Sequence, residues 1–219
     1  MNFRDGFKFF QENLRQGNSV GAVWPSSPAL SAAMAEPVFR ERSGTNSDEL
    51  PPQPLRILEV GAGLGPVSGL LIPQLRPGDT YDIVELNPTF CEHLRVRFAG
   101  MPVRIHEMSI LDWQEEPYDR VVSGLPLANF PADVVEQVYR TFFRLMKPDA
   151  FFVMFEYLVI RQALAVATLG GERKRVRRIL EIERALLQLQ LEQIDIYLNV
   201  PPARVRLRGR PEQPDAFCL

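Results

Sequence analysis

The chain has 219 residues, 46% of them apolar and 24% charged, with a formal net charge of −2. That balance excludes wholesale disorder and suits one medium-sized α/β domain with at most a small appendage. No apolar run reaches the length of a membrane span, the charged start MNFRDGFKFFQENLRQ lacks a signal-peptide core, and two cysteines and two histidines form neither a disulfide framework nor a zinc spacing.

The elements follow in chain order. Phe3, Phe7, Phe10 and Leu14 make one narrow apolar stripe on a helix over residues 3–16, flanked by Arg4, Lys8, Glu12 and Arg15. Such a helix either lies in a lipid interface or docks on the domain's own core. Pro25 and Pro28 open a second helix, with Ser26 or Ser27 as N-cap. Residues 40–54 are polar and rich in Pro, Ser and Gly, which predicts an exposed, mobile loop. The expected organisation is therefore N-terminal helices over 1–39, a loop over 40–54 and one α/β domain over 55–219.

From residue 55 the pattern alternates. Strands are predicted at Arg56–Val60, Tyr81–Glu85, Val103–Glu107, Arg120–Ser123 and Ala150–Glu156, with helices over 65–75, 88–99 and 132–146 between them. This spacing predicts a parallel, doubly wound sheet. After a long helix at about 172–189, Glu192–Asn199 and Ala203–Arg208 are joined by Val200-Pro201-Pro202, an antiparallel hairpin at the sheet edge.

Charge is unevenly spread. Residues 172–219 hold ten Lys/Arg against seven Asp/Glu, while the rest is acidic. Arg173, Lys174, Arg175, Arg177 and Arg178 form one burst; Arg204, Arg206, Arg208 and Arg210 form another, alternating with Val205 and Leu207. On a strand that alternation puts the arginines on one face. The face is either a charge-guarded edge or a surface for phosphate-bearing partners.

The string ILEVGAGLGP runs a buried strand into Gly61, Gly63 and Gly65. Glycines there let backbone approach a ligand, and the following helix offers free N–H groups. The spacing is GxGxG, not the dinucleotide GxGxxG. Glu59 would repel a pyrophosphate but suits a ligand bearing an ammonium group. Glu85 ends the next strand, where a carboxylate accepts both hydroxyls of a ribose. After the third strand, Met108 and Ser109 would lie beside an adenine, and Asp112 either hydrogen-bonds near it or caps a turn. His106 sits inside a strand and reads as a structural histidine.

Glu59-x-Gly61-x-Gly63-x-Gly65 with Glu85 resembles motifs I and II of class I S-adenosylmethionine-dependent methyltransferases, over about residues 55–208. The resemblance implies a Rossmann-like seven-stranded sheet and S-adenosylmethionine as cofactor. It also implies S-adenosylhomocysteine as product and no metal, and adds Ala62, Leu86, Asn87 and Ser123 to the cofactor group. The loop Ser123-Gly124-Leu125-Pro126 is similar to the Gly-Leu-Pro loop of bacterial phospholipid N-methyltransferases, which methylate phosphatidylethanolamine on the way to phosphatidylcholine. Ser19–Ala22 with Pro25-Ser26-Ser27, and Asn199–Ala203, are similar to that family's N-terminal segment and hairpin. The related ribosomal RNA adenine dimethyltransferases usually carry Asn-x-Pro-aromatic where this chain has Ser-Gly-Leu-Pro.

The resemblance makes Ser123, Gly124, Leu125, Pro126 and Tyr157 the acceptor group. Trp24, Ser26, Ser27, Arg177, Arg178 and Arg206 become head-group candidates. Trp24 and Tyr157 either wall a methylated ammonium by cation–π contact or pack as core aromatics. The sequence departs from the family after the fifth strand, where FEYLVIRQAL keeps Tyr157 without a nearby proline. The expected protein is peripheral on the inner face of an anionic membrane, held there by its N-terminal helix, with a phospholipid substrate and no nucleic acid. The rivals are an RNA methyltransferase, a small-molecule N-methyltransferase, and a non-catalytic cofactor- or lipid-binding protein.

Overall fold

The computed structural model describes residues 27–40, 53–158 and 171–217. The predicted helix over 3–16, Trp24, Ser26 and most of the 40–54 loop lie outside them.

In chain order the elements are α1 (Pro28–Phe39), β1 (Arg56–Val60), α2 (Ser68–Leu71, tightening into a 3-10 turn over Ile72–Gln74), β2 (Thr80–Glu85), α3 (Pro88–Arg97) and β3 (Arg104–Glu107). There follow β4 (Tyr118–Ser123), α4 (Ala132–Leu145), β5 (Met146–Tyr157), α5 (Gly171–Leu186), β6 (Gln190–Ile196) and β7 (Ala203–Gly209). The sheet runs β3-β2-β1-β4-β5-β7-β6. Its first five strands are parallel, and β7 and β6 close it antiparallel. This is the expected seven-stranded, doubly wound sheet.

Alternation along each strand divides the core between the two faces. Leu58, Val60, Val84, Val121, Phe152 and Met154 face α4 and α5. Ile57, Tyr81, Ile83, Val122, Val153 and Phe155 face α1, α2 and α3. Helix α4 presents Val134, Val135, Val138, Tyr139, Phe142 and Phe143 at helical spacing, all buried. Asp133 in its first turn and Arg144 in its last complement the helix dipole. Helix α1 is capped by Ser27, whose Oγ accepts from the Leu30 N–H at 3.2 Å. Its Leu30, Met34, Ala35 and Val38 share the core of the sheet.

Two polar networks tie the layers. Asp82, fully buried, accepts from Arg104 at 2.6 and 2.7 Å and from the Tyr118 hydroxyl at 3.1 Å, and lies 2.8 Å from His106 Nε2. Burial pushes its pKa up, but Arg104, His106 and Tyr118 together hold it below the ordinary carboxylate value. His106 is thus a partnered strand histidine.

The second network corrects both readings of the arginine alternation. Strand β7 is not at the edge; it lies between β5 and β6. Arg204 pairs with Asp195 at 2.6 Å, Arg206 with Glu156 at 2.7 Å and Arg208 with Glu183 at 2.6 Å. Arg206 and Arg208 are buried. The arginine face turns inward because the Val205 face of the same strand packs in the α1 layer, so the carboxylates of β5, β6 and α5 must neutralise it.

Candidate active site

The strand order reverses between β1 and β4, at the carboxyl ends of the parallel strands. In doubly wound sheets that is where a ligand crevice opens. A cavity of about 760 Å³, mouth included, occupies the place. Gly61 and Gly63 line it from the loop after β1, Glu85 and Leu86 from β2, Met108 and Ser109 from β3, and Gly124, Leu125 and Pro126 from β4.

The β1 and β4 loops press together closely. Gly61 has φ +69°, a left-handed conformation that favours glycine, and a Cβ there would lie 2.6 Å from Leu125 Cδ2. A Cβ on Gly124 would lie 2.4 Å from the Gly61 carbonyl oxygen. The Gly61 N–H donates to Val84 O at 2.9 Å and the Gly124 N–H to Val60 O at 2.8 Å, so each loop is pinned to a strand end.

Glu85 holds the far wall. Its Oε2 accepts from the Gly63 N–H at 3.0 Å and its Oε1 from the Asn87 N–H at 2.8 Å. Burial pushes its pKa up, against the backbone N–H groups of Asn87, Gly63 and Leu86 that favour the charged form. A carboxylate offers about four lone-pair positions, so acceptor capacity remains toward the cavity.

Other candidates serve the surrounding backbone or lie behind the cavity wall. The Asn87 side chain caps α3, accepting from the Thr89 N–H at 2.9 Å. Ser109 Oγ caps the following 3-10 turn, accepting from the Leu111 N–H at 3.2 Å. Ser123 is fully buried and its Oγ faces the Leu125 N–H at 3.4 Å, behind the loop it terminates. Ala62 is buried within the turn. Gly65 backs onto Leu94 and Phe98 of the α3 segment. Asp112 is not among the cavity's walls.

Glu59 also lies behind the glycine loop. It is buried on the α2 face, and its Oε2 accepts from Ser68 Oγ and the Tyr81 hydroxyl, both at 2.5 Å. Burial raises its pKa to about 6 despite those two donors. A carboxyl raised in the fold stabilises most when protonated, below its unfolded value, and that stability is lost as pH rises through about 6. Urea unfolding of wild type and Glu59→Gln at several pH values should therefore show their stability difference moving by about 2 kcal/mol in the variant's favour between about pH 4 and pH 7. A pH-independent difference would contradict the assignment.

A second cavity, about 790 Å³ with its mouth, opens on the other side of the β4 loop. Pro126 lines both cavities. Tyr157, half-buried, stands in the second with Leu127, Met154, Val176, Ile179 and the carboxylates Glu156 and Glu183. Sequence reasoning missed Glu183. The signal was present: Val176, Ile179, Leu180 and Glu183 share one helical stripe, and an acid in an apolar stripe implies a buried partner.

The remaining head-group candidates among the described residues are not brought to either cavity. Arg177 pairs with Glu181 at 3.1 Å and Arg178 with Glu136 at 2.8 Å on the surface of α5. Arg206 is buried against Glu156, Gln190 and Gln193. Ser27 instead meets Asn199, whose Oδ1 accepts its N–H at 3.1 Å. Ser27 and Asn199, one from each of the segments quoted above, thus touch across 172 residues of sequence.

Comparison with known proteins sets this fold beside methyltransferases. Residues 57–149 match the family model of a methyltransferase domain. An ornithine lipid N-methyltransferase of Singulisphaera acidiphila is 27% identical over 157 residues, covering 68% of this chain and 76% of that protein. The 1,6-didemethyltoxoflavin N1-methyltransferase of Burkholderia thailandensis, solved with S-adenosylhomocysteine, superposes with a TM-score of 0.64 at 15% identity, over 96% of this chain and 92% of that one. The N-methyltransferase NodS of Bradyrhizobium japonicum, also solved with S-adenosylhomocysteine, gives 0.59 at 12% identity, over 83% and 86%. The residues here fit such a nucleoside. Glu85 could accept from a vicinal diol, the glycine loop leaves no side chain in the way, and Leu86, Met108 and Ile110 offer apolar walls that a planar ring would fit.

Proposed function

We propose that this chain, a class I methyltransferase dependent on S-adenosylmethionine, methylates the head-group amine of a membrane lipid. The observation that carries this reading is the pair of cavities meeting at Pro126, one fitted to a nucleoside and the other apolar with two carboxylates.

When bound, the cofactor supplies a methyl on a cationic sulfur that departs as a neutral thioether. The chain's own residues bind and aim. Glu85 and the glycine loop fix the nucleoside end. The carbonyl oxygen of Gly124, in the wall of the first cavity, accepts an N–H bond of the acceptor and orients its lone pair, and Pro126 stiffens that turn. Tyr157 walls the methylated nitrogen by cation–π contact. Holding two reactants in line contributes on the order of 7–11 kcal/mol in favourable cases, so positioning alone suffices as the main device.

Phosphatidylethanolamine and its methylated derivatives are the acceptors that the Gly-Leu-Pro loop points to. An ornithine-bearing lipid is the second reading, favoured by the Singulisphaera relative. The burial of Arg206 and Arg208 against Glu156 and Glu183 supports lipid over RNA, because an RNA surface needs guanidiniums turned outward. Among the described residues no helix is long and apolar enough to cross a membrane. Docking on the inner face of an anionic membrane would rest on the apolar stripe of residues 3–16.

Methyl-labelled cofactor tests this with vesicles of phosphatidylethanolamine, vesicles of ornithine lipid, and ribosomal RNA in separate incubations. Label is expected in lipid; label in RNA alone, or none, overturns the reading. Deleting residues 2–16 should lower labelling of vesicles more than labelling of detergent-dispersed lipid, and an equal loss removes the docking role.

A further inference from the structure

The second cavity carries an electrical asymmetry that the reaction itself does not require. Among its described lining residues Glu156 and Glu183 are the charged ones, and none is a lysine or arginine. Each carboxylate has its guanidinium on the side away from the cavity. Arg208, fully buried, donates to Glu183 Oε2 at 2.6 Å, and buried Arg206 donates to Glu156 at 2.8 Å. Neither arginine lines the cavity. Two ion pairs are thus stacked with their negative ends toward the space and their positive ends in the protein.

Glu183 is the better fixed of the two. The Tyr139 hydroxyl donates to its Oε1 at 2.7 Å and touches Met154 Sδ at 3.2 Å, while Arg208 reaches the same sulfur at 3.8 Å. Tyr139 and Arg208 are fully buried, so neither can swing away. Burial pushes the Glu183 pKa up, but the Arg208 charge and hydrogen bond and the Tyr139 hydroxyl bring it below the ordinary value. The carboxylate therefore stays charged at neutral pH in a wall otherwise made of Val176, Ile179, Leu180 and Leu127. Attraction to a cation is strong in such surroundings, and an anion is repelled by the same group.

We propose that Glu183, held by Arg208 and Tyr139, is a specificity-determining residue that selects a cationic head group on an apolar stem for the second cavity. The proposal rests on reading that cavity as the acceptor site. It assigns Arg208 and Tyr139 as positioning residues that act through Glu183.

The test is calorimetric binding to the full chain of two amphiphiles of matched shape, each below its micelle concentration: cationic dodecyltrimethylammonium and neutral dodecyldimethylamine oxide. Wild type is expected to prefer the cation by about tenfold. Glu183→Gln keeps the size of the side chain and an acceptor for Arg208, and should lose that preference while binding S-adenosylhomocysteine as wild type does. Glu183→Gln combined with Arg208→Met leaves no unpaired buried charge and should behave the same if the single variant is unstable. Equal binding of the two amphiphiles by wild type overturns the proposal, whatever the variants do. So does an unchanged preference in either folded variant. Neither amphiphile needs methyl transfer in order to bind, so failure here leaves the lipid reaction standing, and failure of lipid labelling leaves this result interpretable.

Discussion

Replacing Glu85 with alanine is expected to abolish measurable cofactor binding by calorimetry. The carboxylate would accept two hydroxyls of the bound nucleoside, and charge-assisted bonds of that kind are each worth about 1.5–3 kcal/mol. Losing both corresponds to roughly a hundred- to ten-thousandfold in affinity. The same side chain orders the floor of the site, because its oxygens take the Gly63 and Asn87 N–H groups at 3.0 and 2.8 Å. Alanine leaves those donors unpaired, so stability should fall as well, by about 1–3 kcal/mol. Glu85→Gln separates the two effects. It keeps one acceptor oxygen and the bulk, and should retain most of the stability while still binding weakly. An unchanged affinity in Glu85→Ala would remove the first cavity as the cofactor site.

Gly124→Ala should be nearly as damaging, for a steric reason. The new Cβ would stand 2.4 Å from the Gly61 carbonyl oxygen, a backbone atom that no rotamer change can move aside. Both loops are anchored, Gly61 on Val84 O and Gly124 on Val60 O, so relief must come from pushing β4 away from β1. Overpacking of this kind costs about 1–3 kcal/mol of stability. The shift opens the seam where the two cavities meet, so turnover should fall by two orders of magnitude or more, on the scale of a misplacement of about an ångström. Thermal unfolding and single-turnover methyl transfer measure the two losses independently. A folded variant with wild-type turnover would show that the contact between the loops does not set the geometry of transfer.

Much of the architecture was readable in advance, for identifiable reasons. Strand β1 has the predicted bounds because Ile57, Leu58 and Val60, interrupted by Glu59 alone, make an apolar run cut off by glycine, the signature of a strand buried on both faces. Glu85 was found because an acid at a strand end, a fixed distance after a glycine turn, is a local pattern. Helix 65–75 proved shorter, an α-helical turn over Ser68–Leu71 passing into a 3-10 turn, since Pro73 removes a backbone donor. Strand β5 begins at Met146, four residues before the predicted start, because Met146 pairs with Tyr118 across a bulge. The string Lys147-Pro148-Asp149 has the composition of a turn, and it falls in the bulge between the Tyr118–Met146 and Arg120–Phe151 pairs.

The arginine alternation on β7 marks the boundary between what was local and what was not. That Arg204, Arg206 and Arg208 share a face follows from the period of a strand, and the sequence by itself determined it, together with the βα order, the glycine loop and the acid that follows. Whether that face met water, an anion or the protein's own carboxylates depended on partners 9, 50 and 25 residues away: Asp195, Glu156 and Glu183. Only the fold decided it, because covering the sheet with α5 withdrew those guanidiniums from solvent, and a desolvated charge persists only beside an opposite one. The same packing brought Glu183 to the wall of the second cavity and Gly124 against Gly61. Propensity and periodicity act over a few residues, whereas burial and charge pairing are settled by whatever the chain brings alongside.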